Sequence, residues 1–119
     1  MDTQVIKHAQ ETYKDLSAVV SVYTMSFIWS TQDFAKSLGH TQEEFKGISL
    51  RKIAVMNVSE ITKMLFSELI NSKGNKDTRK FYHKDGHKIL GTASVEKFSF
   101  EGEPFLAIIG ATFKDAPEE

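Results

Sequence analysis

No cysteine occurs in the 119 residues of this chain. Disulfides, thiolate nucleophiles and cysteine-held zinc or iron–sulfur centres are therefore excluded. Proline appears twice and tryptophan once. No apolar run approaches the roughly 20 residues of a membrane span. The opening MDTQVIKHAQ lacks the apolar stretch of a secretory signal. A cytoplasmic domain without membrane contact is expected. An excess of one charge is missing too: 15 basic and 16 acidic residues leave a net −1. Nucleic acid usually calls for a basic patch, so it is not an expected partner.

What is present suits one domain with a single core. Hydrophobic residues make up 40% of the chain and nine are phenylalanine. The most strongly patterned stretch runs from Phe81 to Phe113. Asp85-Gly86 divides two strand-like runs, and such a pair favours a two-residue hairpin turn with both φ positive. A second turn falls at Glu101-Gly102-Glu103-Pro104. Three strands joined by two short turns make an antiparallel meander.

Earlier in the chain, Val5, Ala9, Tyr13 and Leu16 predict a helix over 4–16 with one narrow apolar face. That face either covers its own domain or meets a second copy. The β-branched run 18–23 reads as a strand, with 27–30 as its hairpin partner. Ser30 is placed to cap a short helix carrying Phe34 and Leu38, and Gly39 to end it. Thr41 and Glu44 form a capping box ahead of Phe45. Residues 48–56 read as irregular or one helical turn. Asn57 opens a longer helix striped by Val58, Ile61, Leu65 and Leu69, which Gly74 ends. The third strand begins near Thr78. Strands on both sides of a helical insert give an α+β fold with a five-stranded antiparallel sheet.

Within this order, Trp29-Ser30-Thr31-Gln32-Asp33-Phe34, Leu38-Gly39-His40-Thr41-Gln42-Glu43-Glu44-Phe45-Lys46-Gly47, Lys84-Asp85-Gly86 and Glu101-Gly102-Glu103-Pro104 resemble the motifs of the PAS domain. The resemblance covers residues 18–113. It implies a PAS-like sheet whose one face is covered by helices, with a flanking N-terminal helix. The expected division is a helix over 1–17, a PAS domain over 18–115 and a tail over 116–119. The family's closing Asp-Ile-Thr or Asp-Ile-Ser is replaced by Ala111-Thr112-Phe113.

The resemblance further implies a sensory or signal-input module of a larger kinase, cyclase or transcription regulator. Dimers through the preceding helix would use Val5, Ala9, Tyr13 and Leu16. A pocket between sheet and helices would be lined by Phe34, Leu38, Phe45, Ile61, Met64, Leu65, Phe81, Ala93, Val95 and Ile109. Small residues, Gly91, Ala93, Ala107 and Ala111, leave room for a ligand; phenylalanine and methionine side chains filling that room are the alternative. The near absence of polar groups favours filling. Family members hold haem, flavin or a metabolite, or nothing. Residues 58–73 carry no histidine for a haem; Met64 is a sulfur ligand in principle, though a methionine on an apolar helix face is usually core, and Trp29 at its strand end is more often packed than stacked on a flavin. Cysteinyl–flavin photochemistry is excluded with the cysteines.

Catalytic and metal chemistry find little support in the pattern. A two-residue turn at Asp85-Gly86 would pair Lys84 with His87 and set His83 and His87 diagonally, so no metal site is expected there. His8 and His40 read as isolated and exposed. Two alternatives to sensing remain: a ligand-free interaction or dimerisation module, and a small isomerase whose apolar pocket raises a carboxylate's pKa. Strand alternation turns Glu96, the strand acid in view, to the outer face.

Overall fold

The computed structural model of the chain describes residues 2–54 and 77–116. The expected helix from Asn57, with Val58, Ile61, Met64, Leu65 and Leu69, lies outside the described residues. The first element is α1 (Asp2–Thr12), whose buried residues Val5 and Ala9 lie one turn apart. It is shorter than the spacing predicts. Asp15 takes a left-handed φ of 60°, which ends helical geometry before Leu16. Leu16 instead opens the first strand.

Strands β1 (Leu16–Ser21) and β2 (Ser26–Ser30) form an antiparallel hairpin. Its turn holds neither Gly nor Asn; Met25 supplies the left-handed residue, φ 54°. Three short helices follow: α2 (Gln32–Ser37), α3 (Gln42–Phe45) and α4 (Leu50–Ile53). Thr31, not Ser30, caps α2, its hydroxyl accepting the Phe34 N–H at 3.1 Å. Ser30 is buried at the end of β2, and its hydroxyl donates to the Thr31 carbonyl. Gly39, φ 82°, ends α2: its N–H donates to Lys36 O and the His40 N–H to Ala35 O, the pair of bonds of a Schellman motif. The capping box of α3 forms as the sequence predicts, with Glu44 N–H to Thr41 Oγ1 at 3.1 Å and Thr41 N–H to Glu44 Oε1 at 3.2 Å.

Strands β3 (Asp77–Tyr82), β4 (Lys88–Phe100) and β5 (Glu103–Asp115) complete a five-stranded antiparallel sheet in the order β2-β1-β5-β4-β3. The α+β fold class read from the sequence is the observed one. The helices α2, α3 and α4 cover the inner face around Phe27, Phe34, Leu38, Phe45 and Ile53. On the outer face α1 lies over Val19, Phe105 and Ala107.

Bulges decide which side chains meet which face. Val19 pairs with Trp29 and Val20 with Phe27, so Ile28 is the extra residue and Trp29 stays on the outer face with Ile28. Leu16 pairs with Ile109 and Ala18 with Ile108, so Ser17 is extra. Opposite β4, the step from Thr112 to Ile109 spans one residue more than the step from Thr92 to Ser94. Gly110 lies in that surplus with φ 64°. The displaced amides find partners: Gly110 N–H donates to Asp15 O at 2.8 Å and Ala111 N–H to Ser17 Oγ at 3.0 Å.

This overturns one sequence expectation. Simple alternation would put Ala107, Ile109 and Ala111 together on the inner face. The bulge splits them: Ala107 and Ile109 pack in the outer cluster, while Ala111 and Phe113 rejoin Leu106 and Ile108 on the inner one.

The turns exchange character as well. Glu101 and Gly102, φ 51° and 81°, make the two-residue turn with both φ positive. At the β3–β4 tip Gly86 has φ 100° and Asp85 does not join it in the positive region. His83 N–H donates to His87 O at 2.8 Å and Gly86 N–H to His83 O at 2.9 Å. The loop is thus Lys84-Asp85-Gly86, a turn followed by one left-handed residue.

Candidate functional site

Between sheet and helical cap the described side chains form one apolar cluster. Phe27 and Phe45 are fully buried, with ring centroids 4.6 Å apart. Phe34 joins both at 5.9 and 5.5 Å and passes the contact to Phe113 at 5.2 Å. Phe113 meets Phe81 at 5.7 Å. The ladder runs from β2 through α3 and α2 to β5 and β3. Each such edge or tilted pair is worth about 0.5–1.5 kcal/mol beyond area burial.

Gly91 sits beneath the far end of this ladder. A Cβ there would lie 2.6 Å from Phe81 Cε2 and 2.8 Å from Phe113 Cε1. Its small size therefore admits two phenyl rings, where the sequence suggested room for a ligand. Ala93 and Val95 pack on the same cluster as partly buried residues. Phe34, Leu38, Phe45, Phe81, Ala93 and Val95 are brought together as predicted; Ile109 is not. Ile61, Met64 and Leu65 lie outside the described residues. The prediction missed Phe27, Phe113, Ile53 and Ile108, although the phenylalanine content was a usable signal.

The apolar side chains of this cluster are hydrocarbon apart from the Met25 thioether, and the His40 imidazole borders it against Phe45. Trp29 packs on the outer face and cannot stack on anything held beneath the cap. A cleft of about 550 Å³ opens beside the Ser17–Gly110 bulge, and of the ten predicted lining residues Phe34 is the one that borders it.

The outer face shows how α1 is engaged. Val5 and Ala9 are buried against the sheet, and Leu16, now in β1, joins them. Tyr13 packs on Phe98, ring centroids 5.7 Å apart. Burial, and secondly the charge of Glu96, raise the Tyr13 hydroxyl above its ordinary value. Glu96 therefore acts on the outer side, away from the apolar cap.

A second group of polar side chains gathers where the β3–β4 hairpin meets the cap. Lys84 N–H donates to Leu38 O at 2.9 Å, and Lys84 Nζ lies 2.8 Å from Glu44 Oε2. The hydrogen bond from Lys84 and that from the Thr41 N–H lower the Glu44 carboxyl to about 2. His40, predicted as exposed, is half-buried against Phe45 at 5.5 Å, and its Nδ1 is shielded without a hydrogen-bond partner among the described residues. Burial lowers its pKa, partly opposed by Glu44, whose carboxylate lies 3.9 Å away. A cleft of about 400 Å³ here is bordered by His40, Glu44, Lys52, Tyr82, His83 and Lys84.

At the hairpin tip, His83 and His87 are opposite partners, not diagonal ones. Their rings stack at 4.5 Å with 22° between planes. The Asp85 carboxylate reaches both: Oδ1 lies 3.3 Å from His83 Nδ1 and in close contact with His87 Nδ1. Hydrogen bonding from the His87 N–H is the main cause that holds the Asp85 carboxyl below its ordinary value. Sequence reasoning missed this grouping because it assumed the wrong loop length.

A five-stranded antiparallel sheet in this order, roofed on one face by short helices and flanked on the other by an N-terminal helix, defines a class of small α+β domains. The particular fold is that of a PAS domain. A PAS domain of an HTR-like protein from Haloarcula marismortui matches with a TM-score of 0.64 and 20% identity, over 92% of this chain and 91% of that one. A PAS domain from Desulfitobacterium hafniense gives 0.63 and 24%, over 89% and 96%. A PAS domain from a two-component sensor histidine kinase gives 0.65 and 12%, over 95% and 98%. No protein-family model matches the sequence, and no curated protein matches it. Among the described residues no helix is long and apolar enough to cross a membrane.

Proposed function

We propose that this PAS-fold chain is a non-catalytic signal-input module of a larger signalling protein. The observation that carries this reading is the continuous apolar cluster joining α2, α3 and α4 to the sheet's inner face, where Phe34 contacts Phe113 of the central strand β5. Close-packed contacts of this kind transmit displacement because interiors yield little. A shift of the cap is therefore felt along β5, whose end leads toward whatever follows in the chain. The similarity to a PAS domain of a sensor histidine kinase supports an effector of that general type.

The packing at Gly91 favours a second reading, a ligand-free interaction module, since rings of Phe81 and Phe113 take the space a ligand would need. Pairing of two copies through the N-terminal helix would have to use its far side, because Val5 and Ala9 already face the sheet. Glu96 beside Tyr13 on the outer face speaks against an isomerase with a carboxylate under the cap.

Native mass spectrometry of freshly purified protein separates the readings, with an absorption spectrum between about 350 and 600 nm beside it. A bound small molecule released on unfolding supports a ligand sensor. A mass equal to the bare chain, or to two of them, supports relay through packing. Turnover of a substrate by the isolated chain would overturn the input-module reading.

A further inference from the structure

We propose that His83, Asp85 and His87 form a binding site for a borderline divalent transition cation such as Zn²⁺ at the tip of the β3–β4 hairpin. Two imidazoles and a carboxylate are a donor set suited to such ions, and unsuited to Mg²⁺ or Ca²⁺, which take oxygen. One donor atom from each residue falls in a group whose members all lie within 4.8 Å of one another. Bond lengths of about 2.0–2.1 Å around a tetrahedral ion place neighbouring donors about 3.3 Å apart. The His83 Nδ1 to Asp85 Oδ1 distance is already 3.3 Å. Three protein donors leave a position open for water or another ligand.

The protonation pattern is compatible with binding: the Asp85 N–H donates to His83 Nδ1 at 3.2 Å, so that nitrogen is an acceptor, and an arriving ion replaces this hydrogen bond at its lone pair.

The site is also held in advance. His83 is 24% exposed, its ring resting on Gly39, where a Cβ would come within 2.4 Å of His83 Cε1. The Lys84 N–H to Leu38 O bond and the Lys84–Glu44 pair fasten the loop to the cap. Backbone bonds across the loop fix the register that puts the two imidazoles side by side. The loop backbone is thus in place, and what an arriving ion has to impose is rotation of the stacked imidazoles until their lone pairs converge. Metal binding at the tip would in turn tighten the hairpin against α2 and α3. This inference is independent of the proposed signalling role.

Chelator-stripped protein is titrated with ZnCl₂ by calorimetry, and amide shifts are followed by ¹H–¹⁵N NMR. Saturable binding of one ion per chain is expected, with shifts centred on residues 83–87. His87→Ala, at an exposed position, should lose saturable binding, Asp85→Asn should weaken it, and His8→Ala should leave it unchanged. Unperturbed amide spectra outside the loop show that each variant is folded. Absence of saturable binding, binding retained in His87→Ala, or shifts centred elsewhere would each overturn the proposal.

Discussion

The Lys84 ammonium lies 2.8 Å from the Glu44 carboxylate, across forty residues of sequence, and ties the β3–β4 hairpin to α3. Both side chains are exposed, so the pair adds little to stability. Its effect is on protonation. Removing the charge in Lys84→Met should raise the Glu44 carboxyl from about 2 toward the ordinary 4.5. The native pKa lies below the unfolded one, so the stabilisation is complete above about 4.5 and fades as pH falls toward 2. A carboxyl ¹³C titration of Glu44 in both proteins checks it, and an unchanged midpoint refutes it.

His40 should work in the next window up. Burial, its largest influence, lowers its pKa from 6.5. The folded state then holds fewer protons than the unfolded state just below that value, so stability falls as pH drops through and below 6.5. His40→Asn should flatten this slope. Urea midpoints measured between about pH 7.5 and 5.5, with the His40 ring proton titration, decide the matter; a raised ring pKa would contradict the packing against Phe45.

Gly91→Ala should destabilise the domain by about 1–3 kcal/mol, because the added methyl meets two packed rings. Combining it with Phe81→Leu should cost less than the sum of the single changes, since the leucine frees space at the contact. Additive losses in urea unfolding would mean that the rings do not press on Gly91.

Thr41→Ala should cost about 1 kcal/mol by deleting one half of the capping box, while Thr41→Ser should cost little. The shift should fall on the denaturant midpoint with an unchanged m-value. A neutral alanine would show that the short α3 is held by Phe45 alone.

Local signals were the legible ones. Thr41 and Glu44 announce their cap three residues apart, Gly39 announces a helix end, and the β-branched run from Ala18 announces a strand. All are interactions within a few residues, so sequence spacing contains them. Six of the ten pocket candidates met on the inner face for the same reason: helical and strand periodicity fix which side a residue takes. Ile109 failed because a bulge shifted the period, and a second bulge turned Trp29 to the outer face, where it packs. Those bulges rest on long-range partners, Asp15 O and Ser17 Oγ for β5, and β1 itself for Ile28.

The order of the strands, the capping box of Thr41 and Glu44, the helix end at Gly39 and the ring-rich interior were thus settled by the sequence alone, because each depends on local pattern or composition. Tertiary structure decided the remainder: β5 in the middle of the sheet, the Phe81–Phe113 pair over Gly91, and His83 facing His87. These depend on register between strands, and a shift of one residue turns every later side chain to the opposite face.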